Sequence, residues 1–321
     1  MKTPSRADRP LPPLIAIVGP TAVGKTALAV RLAEALGGEI VSADSRQLYR
    51  GMDVGTAKAT PGERARVRHH LLDVVAPDEV LSLAEFQERA YAAIDDVLAR
   101  GKVPFLVGGT GQYVMAVIEG WRIPRVPPDE VLRARLYREA EEEGAAALHA
   151  WLEALDPAAA RRIDARNVRR VVRALEVCLV TGRPISTQQG KVPPPYRILI
   201  VGLMLPRPEL YRRIDERVKR MMAAGLEDEV RCLVEGGYGF DLPAMSGVGY
   251  GQFEAYLAGE ATREEVVHEV QRATRRFVRQ QANWFRAEDP RIHWFDAVPD
   301  PFEAVRALVE GFVGGFPPTR E

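Results

Sequence analysis

Cysteine is almost missing from this sequence. Its 321 residues include only Cys178 and Cys232, far apart and outside any CxxC spacing, which excludes a disulfide framework and a thiolate zinc site and favours a reducing compartment. No run of eighteen apolar residues is free of charge, so no membrane span is expected. The N-terminus, MKTPSRADRPLPPLIAIVG, puts prolines and an aspartate where a secretory signal needs an apolar stretch. Net charge is missing too: 44 basic residues balance 44 acidic ones, which removes the simplest argument for a polyanionic partner. The histidines, His69 and His70 included, lack metal-ligand spacing and read as surface or satisfied polar groups. Repeats and low-complexity tracts are also lacking. These absences lead us to expect a soluble cytoplasmic protein, and nothing demands more than a monomer.

What remains is a chain that is 46% hydrophobic, enough to bury a core in one large domain or two ordinary ones. Its charge is neutral overall but locally uneven. Across residues 161–191 eight basic side chains meet only Asp164 and Glu176, and residues 271–286 hold five arginines and no acid. Such patches suit a polyanion. An arginine- and alanine-rich coding bias produces them as well, so by themselves they leave both readings open.

Along the chain, residues 14–18 form a short continuous apolar run ending in glycine, the pattern of a buried parallel strand. A helix is expected from Lys25 to Leu36, closed by Gly37 and Gly38, then a second strand that runs out at Ser42. Residues 83–99 have helical periodicity and precede a third buried strand at 103–107. This alternation implies a parallel sheet with helices on both faces. Between the proline-rich stretches 123–128 and 192–195 the sequence reads as helix only, an inserted lobe. The apolar run at 197–205 restores a strand, and helices are expected at 209–224, 226–235, 264–285 and 301–311. The fold class is therefore α/β, a P-loop NTPase-like parallel sheet flanked by helices with an inserted all-helical lobe. The corresponding divisions are 11–122, 123–195 and 196–321.

Gly19, Pro20, Thr21, Ala22, Val23, Gly24, Lys25 and Thr26 match GxxxxGK[ST] between a buried strand and a helix, where such a loop can work. Its backbone N–H groups and the helix N-terminus face an anion, Lys25 adds a point charge, and Thr26 offers a hydroxyl to Mg²⁺. Nucleotide binding, of ATP for instance, goes with such loops, yet the motif does not say whether the phosphates belong to a nucleotide. Asp44 stands just past the second strand, at the end of the sheet that faces the crevice. A carboxylate there can hold a metal through water, take a proton from a nucleophile, or cap a helix. Gly108 to Tyr113 (GGTGQY) occupies the same topological position after the third strand.

In this order and spacing, GPTAVGKTALA, SADSRQLYRGMDVGTAK and VGGTGQY resemble the tRNA dimethylallyltransferase family, the bacterial-type tRNA isopentenyltransferases. DPAAARRIDARNVRRVVRALEV, RVKRMMAAGLEDEV, GVGYGQF and TRRFVRQQANWFR extend the resemblance over nearly the whole chain. It implies transfer of a dimethylallyl group from dimethylallyl diphosphate to N6 of the adenosine 3′ of a tRNA anticodon, with release of diphosphate. Under that resemblance Asp44 is the candidate base, and Lys25, Thr26 with Mg²⁺, and Arg217 steady the departing diphosphate. Asp44, Ser45, Arg46, Gln47 and Thr110 would meet the extruded base and its neighbours in the anticodon stem-loop. Arg169, Arg170, Arg173, Arg275, Arg279 and Gln280 would hold the RNA, assigning both basic patches to one partner.

The chain departs from the family at Gln112, and at Arg279-Gln280-Gln281-Ala282-Asn283-Trp284 where Lys-Arg-Gln-x-Thr-Trp is usual. These departures fall on expected RNA-facing positions and spare the phosphate loop. A P-loop kinase, an enzyme that prenylates free adenine nucleotides, and a non-catalytic RNA-binding module are the competing readings. The first two need no arginine-rich lobe, and the third leaves Lys25, Thr26 and Asp44 without a purpose.

Overall fold

A computed structural model describes residues 10–314 of the chain. Two compact units divide at Glu119 and Pro194. The larger opens with β1 (Pro13–Val18), α1 (Lys25–Leu36), β2 (Gly38–Ser42), α2 (Pro61–Arg66), β3 (His69–His70), α3 (Leu83–Ala99), β4 (Val103–Val107) and α4 (Gly111–Ile118). The smaller holds β5 (Trp121–Arg122), α5 (Glu130–Glu142), α6 (Ala145–Leu155), α7 (Pro157–Ala160), α8 (Val168–Thr181), α9 (Ile185–Gln188) and β6 (Gly190–Lys191). The larger then resumes with β7 (Arg197–Met204), α10 (Arg207–Ala223), α11 (Leu226–Glu235), α12 (Glu254–Leu257), α13 (Arg263–Gln281), β8 (Ile292–Asp296) and α14 (Phe302–Val313).

The six-stranded sheet has the order β3-β2-β4-β1-β7-β8, and every adjacent pair is parallel. β1 is buried along its whole length because both faces are covered, which is why its sequence is continuously apolar rather than alternating. Leu14, Ala16 and Val18 enter one core with Phe86 and Val114, while Ile15 and Ile17 enter the other with Leu28 and Val305. The chain crosses from β1 to β2 past the position that β4 fills, so the carboxyl ends of β1, β4 and β2 open on one crevice. The end of α3 nearest β2 in sequence is fixed by a capping box: Ser82 accepts the Glu85 amide and Glu85 reaches back to the Ser82 amide. β3, β8 and α2 were not expected from the sequence. A two-residue strand is too short to show a period, and β8 is a half-buried edge strand.

In the smaller unit Leu136, Leu148, Leu152, Val171 and Leu175 form the core. Glu176 lies fully buried inside it, and its carboxylate accepts from Arg133 Nε at 2.8 Å, Arg173 Nη1 at 2.6 Å and the Asp129 amide at 2.8 Å. Burial works against its ionisation, but those donors hold the carboxyl below its ordinary range. Outside the helices, β5 and β6 pair antiparallel and tie the two ends of the unit together, a feature absent from the helix-only expectation. No helix among the described residues is long and apolar enough to cross a membrane.

Candidate active site

Three loops build the site, each leaving a strand at the same edge of the sheet: Gly19–Gly24 after β1, Ala43–Gln47 after β2 and Gly108–Thr110 after β4. In the first, Ala22 has φ 65°, a left-handed conformation that costs a residue with Cβ about 1 kcal/mol and persists because the loop wraps tightly. Lys25 Nζ donates to the Pro20 carbonyl at 2.7 Å, so the ammonium lies folded back over the loop it serves. Thr26, Ser42, Asp44, Gly108, Gly109 and Arg217 line the same crevice. The structure thus brings together Lys25, Thr26, Asp44 and Arg217 from α1, the β2 loop and the middle of α10, although they lie far apart in sequence.

The electrostatics of this cluster are unusual. Burial, and after it the neighbouring Arg217 guanidinium, bring the Lys25 ammonium down to about 7, with Asp44 working the other way. Lys25 is half-buried at the crevice, with its Nζ turned onto the Pro20 carbonyl. Arg217 is also pulled below its ordinary value, chiefly by burial and against the support of Asp44. Two crowded cations with one carboxylate form a site short of negative charge, the setting an anionic ligand suits.

A pH dependence follows from the sign of the Lys25 shift. Below pH 7 the ammonium is already charged, whereas between 7 and its ordinary value an anion must draw a proton from solvent to be fully bound. Binding of inorganic diphosphate should therefore take up close to one proton more at pH 8.5 than at pH 6, measured by calorimetry in buffers of different ionisation enthalpy. Lys25→Arg, which stays charged, should abolish the difference. Equal proton uptake by the wild type and Lys25→Arg at pH 8.5 would refute this.

The second loop is held by its own polar groups. Asp44 Oδ1 accepts the Arg46 amide at 2.9 Å, and the Ser45 amide donates to Thr110 Oγ1 at 3.0 Å, joining the β2 and β4 loops. Ser42 Oγ donates to Gln47 Oε1 at 3.0 Å. Gly108 lies so near this loop that an added Cβ would sit 2.1 Å from the Ala43 carbonyl oxygen. Because that obstacle is backbone, Gly108→Ala must push β2 and β4 apart where they carry the site. We expect a loss of about 1–3 kcal/mol in stability by denaturant titration and a disproportionate loss of activity.

Farther along the crevice stand Thr56, Ala57 and His69. The carboxylate of Glu229 accepts the amides of Asp53, Val54 and Gly55 at 2.8, 2.7 and 3.0 Å, and Tyr250 Oη donates to it at 2.6 Å, so α11 fixes the segment that forms this wall. His69 Nδ1 bonds the Val67 carbonyl at 2.8 Å, and its Nε2 is buried without a protein partner. Burial lowers the ring's affinity for a second proton. The sequence reading of His69 as surface or fully satisfied is corrected here: one nitrogen is satisfied and the other is not. Neither Glu229 nor His69 belongs to a recognisable spacing, and both were missed.

The residues expected to hold RNA divide into two groups. Arg169, Arg170, Arg279 and Gln280 are exposed. Arg173 is committed to Glu176 and the Val126 carbonyl, and Arg275 pairs with Asp215 at 2.6 Å beside the Tyr211 ring. Arg46 donates through Nη1 to the carbonyls of Pro243 and Ala244, binding the loop next to the GVGY segment. These three guanidinium groups already serve the fold. Gln281, the neighbour of the expected Gln280, is the residue that turns inward: it is 3% exposed and touches both phosphate-side loops. Trp284 and Phe285 pack on the core.

The IPP transferase family model matches residues 47–288. A tRNA dimethylallyltransferase of Roseiflexus sp. is 59% identical over 274 residues, 85% of this chain and 90% of that one. The tRNA dimethylallyltransferase of Dehalococcoides mccartyi is 48% identical over 95% of this chain and 94% of its own length. Among solved structures, a full-length tRNA isopentenylpyrophosphate transferase from Bacillus halodurans has a TM-score of 0.68 at 41% identity, covering 94% of this chain and 95% of its own. A eukaryotic dimethylallyltransferase acting on tRNA has a TM-score of 0.81 at 25% identity, covering 97% and 81%.

Proposed function

The chain belongs to the IPP transferase family, and from that membership we propose that it transfers a dimethylallyl group from dimethylallyl diphosphate to N6 of the adenosine next to the anticodon in tRNA, position 37, releasing diphosphate. The observation that carries this reading is the convergence of Lys25, Thr26, Arg217 and Asp44 on one crevice. A diphosphate held by the amides of Ala22 to Thr26 would share its crevice with Asp44, just past the end of β2. Adenine N6 is a weak nucleophile, since its lone pair is shared with the ring. Asp44 takes the N6 proton as the N6–C bond forms, the C–O bond breaks, and the electron pair leaves with the diphosphate. Lys25 and Arg217 stabilise the charge that gathers there.

The donor set fits one Mg²⁺. The described residues contain no cluster of three or more His, Cys, Asp or Glu placed to hold a metal. Magnesium needs few protein ligands when phosphate oxygens and waters complete its shell, and the Thr26 hydroxyl at the crevice suits that arrangement. When bound, the ion neutralises charge on the leaving diphosphate. The target base reaches the crevice only if it leaves the stack of the anticodon loop, which an unpaired loop nucleotide does at modest cost. Arg169 and Arg170 are exposed and offered to its backbone, and the exposed Arg279, which donates to the Tyr211 hydroxyl at 3.4 Å, keeps further N–H groups for it.

The test is incubation with Mg²⁺, labelled dimethylallyl diphosphate and an anticodon stem-loop bearing adenosine at position 37. Label should enter the RNA and vanish when that adenosine is replaced. Label on free AMP instead, with none in the stem-loop, would overturn the reading.

A further inference from the structure

We propose that Gln281 sets the length of the phosphate cradle, closing it to a third phosphoryl group so that the loop accepts diphosphates and rejects triphosphates. This rests on the prenyl-transfer reading of the site and adds a specificity determinant to it. A P-loop binds anions through inward-facing N–H groups, so any such group bonded elsewhere is lost to the ligand. Here the Thr21 amide, in the first half of the loop, donates to Gln281 Oε1 at 2.9 Å. The other end of the same side chain donates from Nε2 to the Gly109 carbonyl at 2.9 Å.

Gln281 is therefore a neutral crossbar between the β1 and β4 loops, buried and bonded at both ends. It also stands close to the anion site: a Cβ built on Gly109 would lie 2.4 Å from Gln281 Nε2 and 3.5 Å from Lys25 Nζ. The cradle that remains, Ala22 to Thr26 with Lys25 and Arg217, keeps its donors for two phosphoryl groups. A third would have to displace the amide, give up the Thr21 N–H, and leave the Gly109 carbonyl unpaired in a buried place. The neutral side chain offers no charge in return. The helix supplying it, α13, ends at Gln281, so the crossbar is held at the last turn of a rigid element.

The experiment compares inorganic tripolyphosphate with inorganic diphosphate, both with Mg²⁺, as competitors of dimethylallyl diphosphate in the stem-loop reaction. For the wild type, diphosphate should inhibit at the lower concentration. In Gln281→Ala the ratio of the two inhibition constants should move toward tripolyphosphate by about tenfold or more, the weight of one hydrogen bond to a charged group. Should that variant not fold, as judged by its melting transition, Gln281→Asn reads the same ratio with an amide one methylene too short to span both loops. An unchanged ratio in a folded variant would overturn the proposal while leaving prenyl transfer intact. Failure of the wild type to label the stem-loop would instead strike the functional reading on which it rests.

Discussion

Asp44→Asn should lower the turnover of stem-loop prenylation about 10²–10⁴-fold while changing RNA affinity little. The substitution isolates the proposed base because an asparagine oxygen can still accept the Arg46 amide that Asp44 Oδ1 accepts at 2.9 Å, so the loop after β2 keeps its shape. A second consequence must be separated from the first. Asp44 supports the charged form of Lys25, so its loss drops the ammonium still lower and weakens diphosphate binding near neutral pH and above. Below about pH 6.5 that binding defect should shrink as Lys25 becomes protonated, while the turnover defect persists. A single-turnover assay with saturating donor, run at pH 6 and pH 8, distinguishes the two. If turnover survived in the Asn variant at both values, another group would have to carry the proton. His69 Nε2, neutral and unpaired along the same crevice, would then be the first to examine.

Much of the sheet was legible because buried parallel strands leave an unmistakable pattern. β1, β4 and β7 are continuous apolar runs, as strands covered on both faces must be, and α3 and α11 have the limits their periodicity implies. The edge strands were not legible. β3 is two histidines, and β8, IHWFD, mixes polar and aromatic residues on a half-buried edge where no strict alternation is required. α13 ends at Gln281, short of the expected Phe285, although helical turns continue in the sequence pattern. Periodicity reports which face is buried and does not mark where a backbone stops.

The site was legible where one contiguous motif built it, and less so where distant side chains were recruited. Lys25 and Thr26 could be placed from the loop and strand around them. Arg217 could not, since on α10 it looks like one more arginine of a basic helix; only the family resemblance singled it out. Gln281 and Glu229 were missed for a related reason. Each acts by bonding the backbone amides of another loop, Thr21 in one case and Asp53 to Gly55 in the other, and such a bond leaves no spacing in the sequence. Arginine count misled in the opposite direction. A guanidinium is as useful for neutralising a buried Glu176 or a half-buried Asp215 as for meeting phosphate, so composition alone could not tell Arg173 and Arg275 from Arg169 and Arg170.

Arg217→Ala should cost about 10²–10³-fold in turnover, the magnitude seen when one donor is removed from a preorganised anion site. The guanidinium is half-buried and shares the crevice with Lys25 and Asp44, and on the proposed reading it would gain most as negative charge develops on the leaving diphosphate. Its removal has an opposite effect on the neighbouring ammonium. Because Arg217 holds Lys25 down, the alanine variant should let Lys25 rise above 7 and move the alkaline loss of donor affinity to higher pH, even as turnover collapses. Arg217→Lys keeps a charge at the site but loses the planar fork, so it should retain the wild-type pH onset with only partial turnover. The pair of variants thus separates charge from geometry: donor affinity against pH reads the first, and single-turnover rate reads the second. If Arg217→Ala left the pH onset where it was while reducing turnover, the coupling between the two cations would be refuted, although stabilisation of the leaving group would stand. If turnover were also within twofold of wild type, Arg217 would be a structural arginine of α10 and the diphosphate would depend on Lys25 and the loop amides alone.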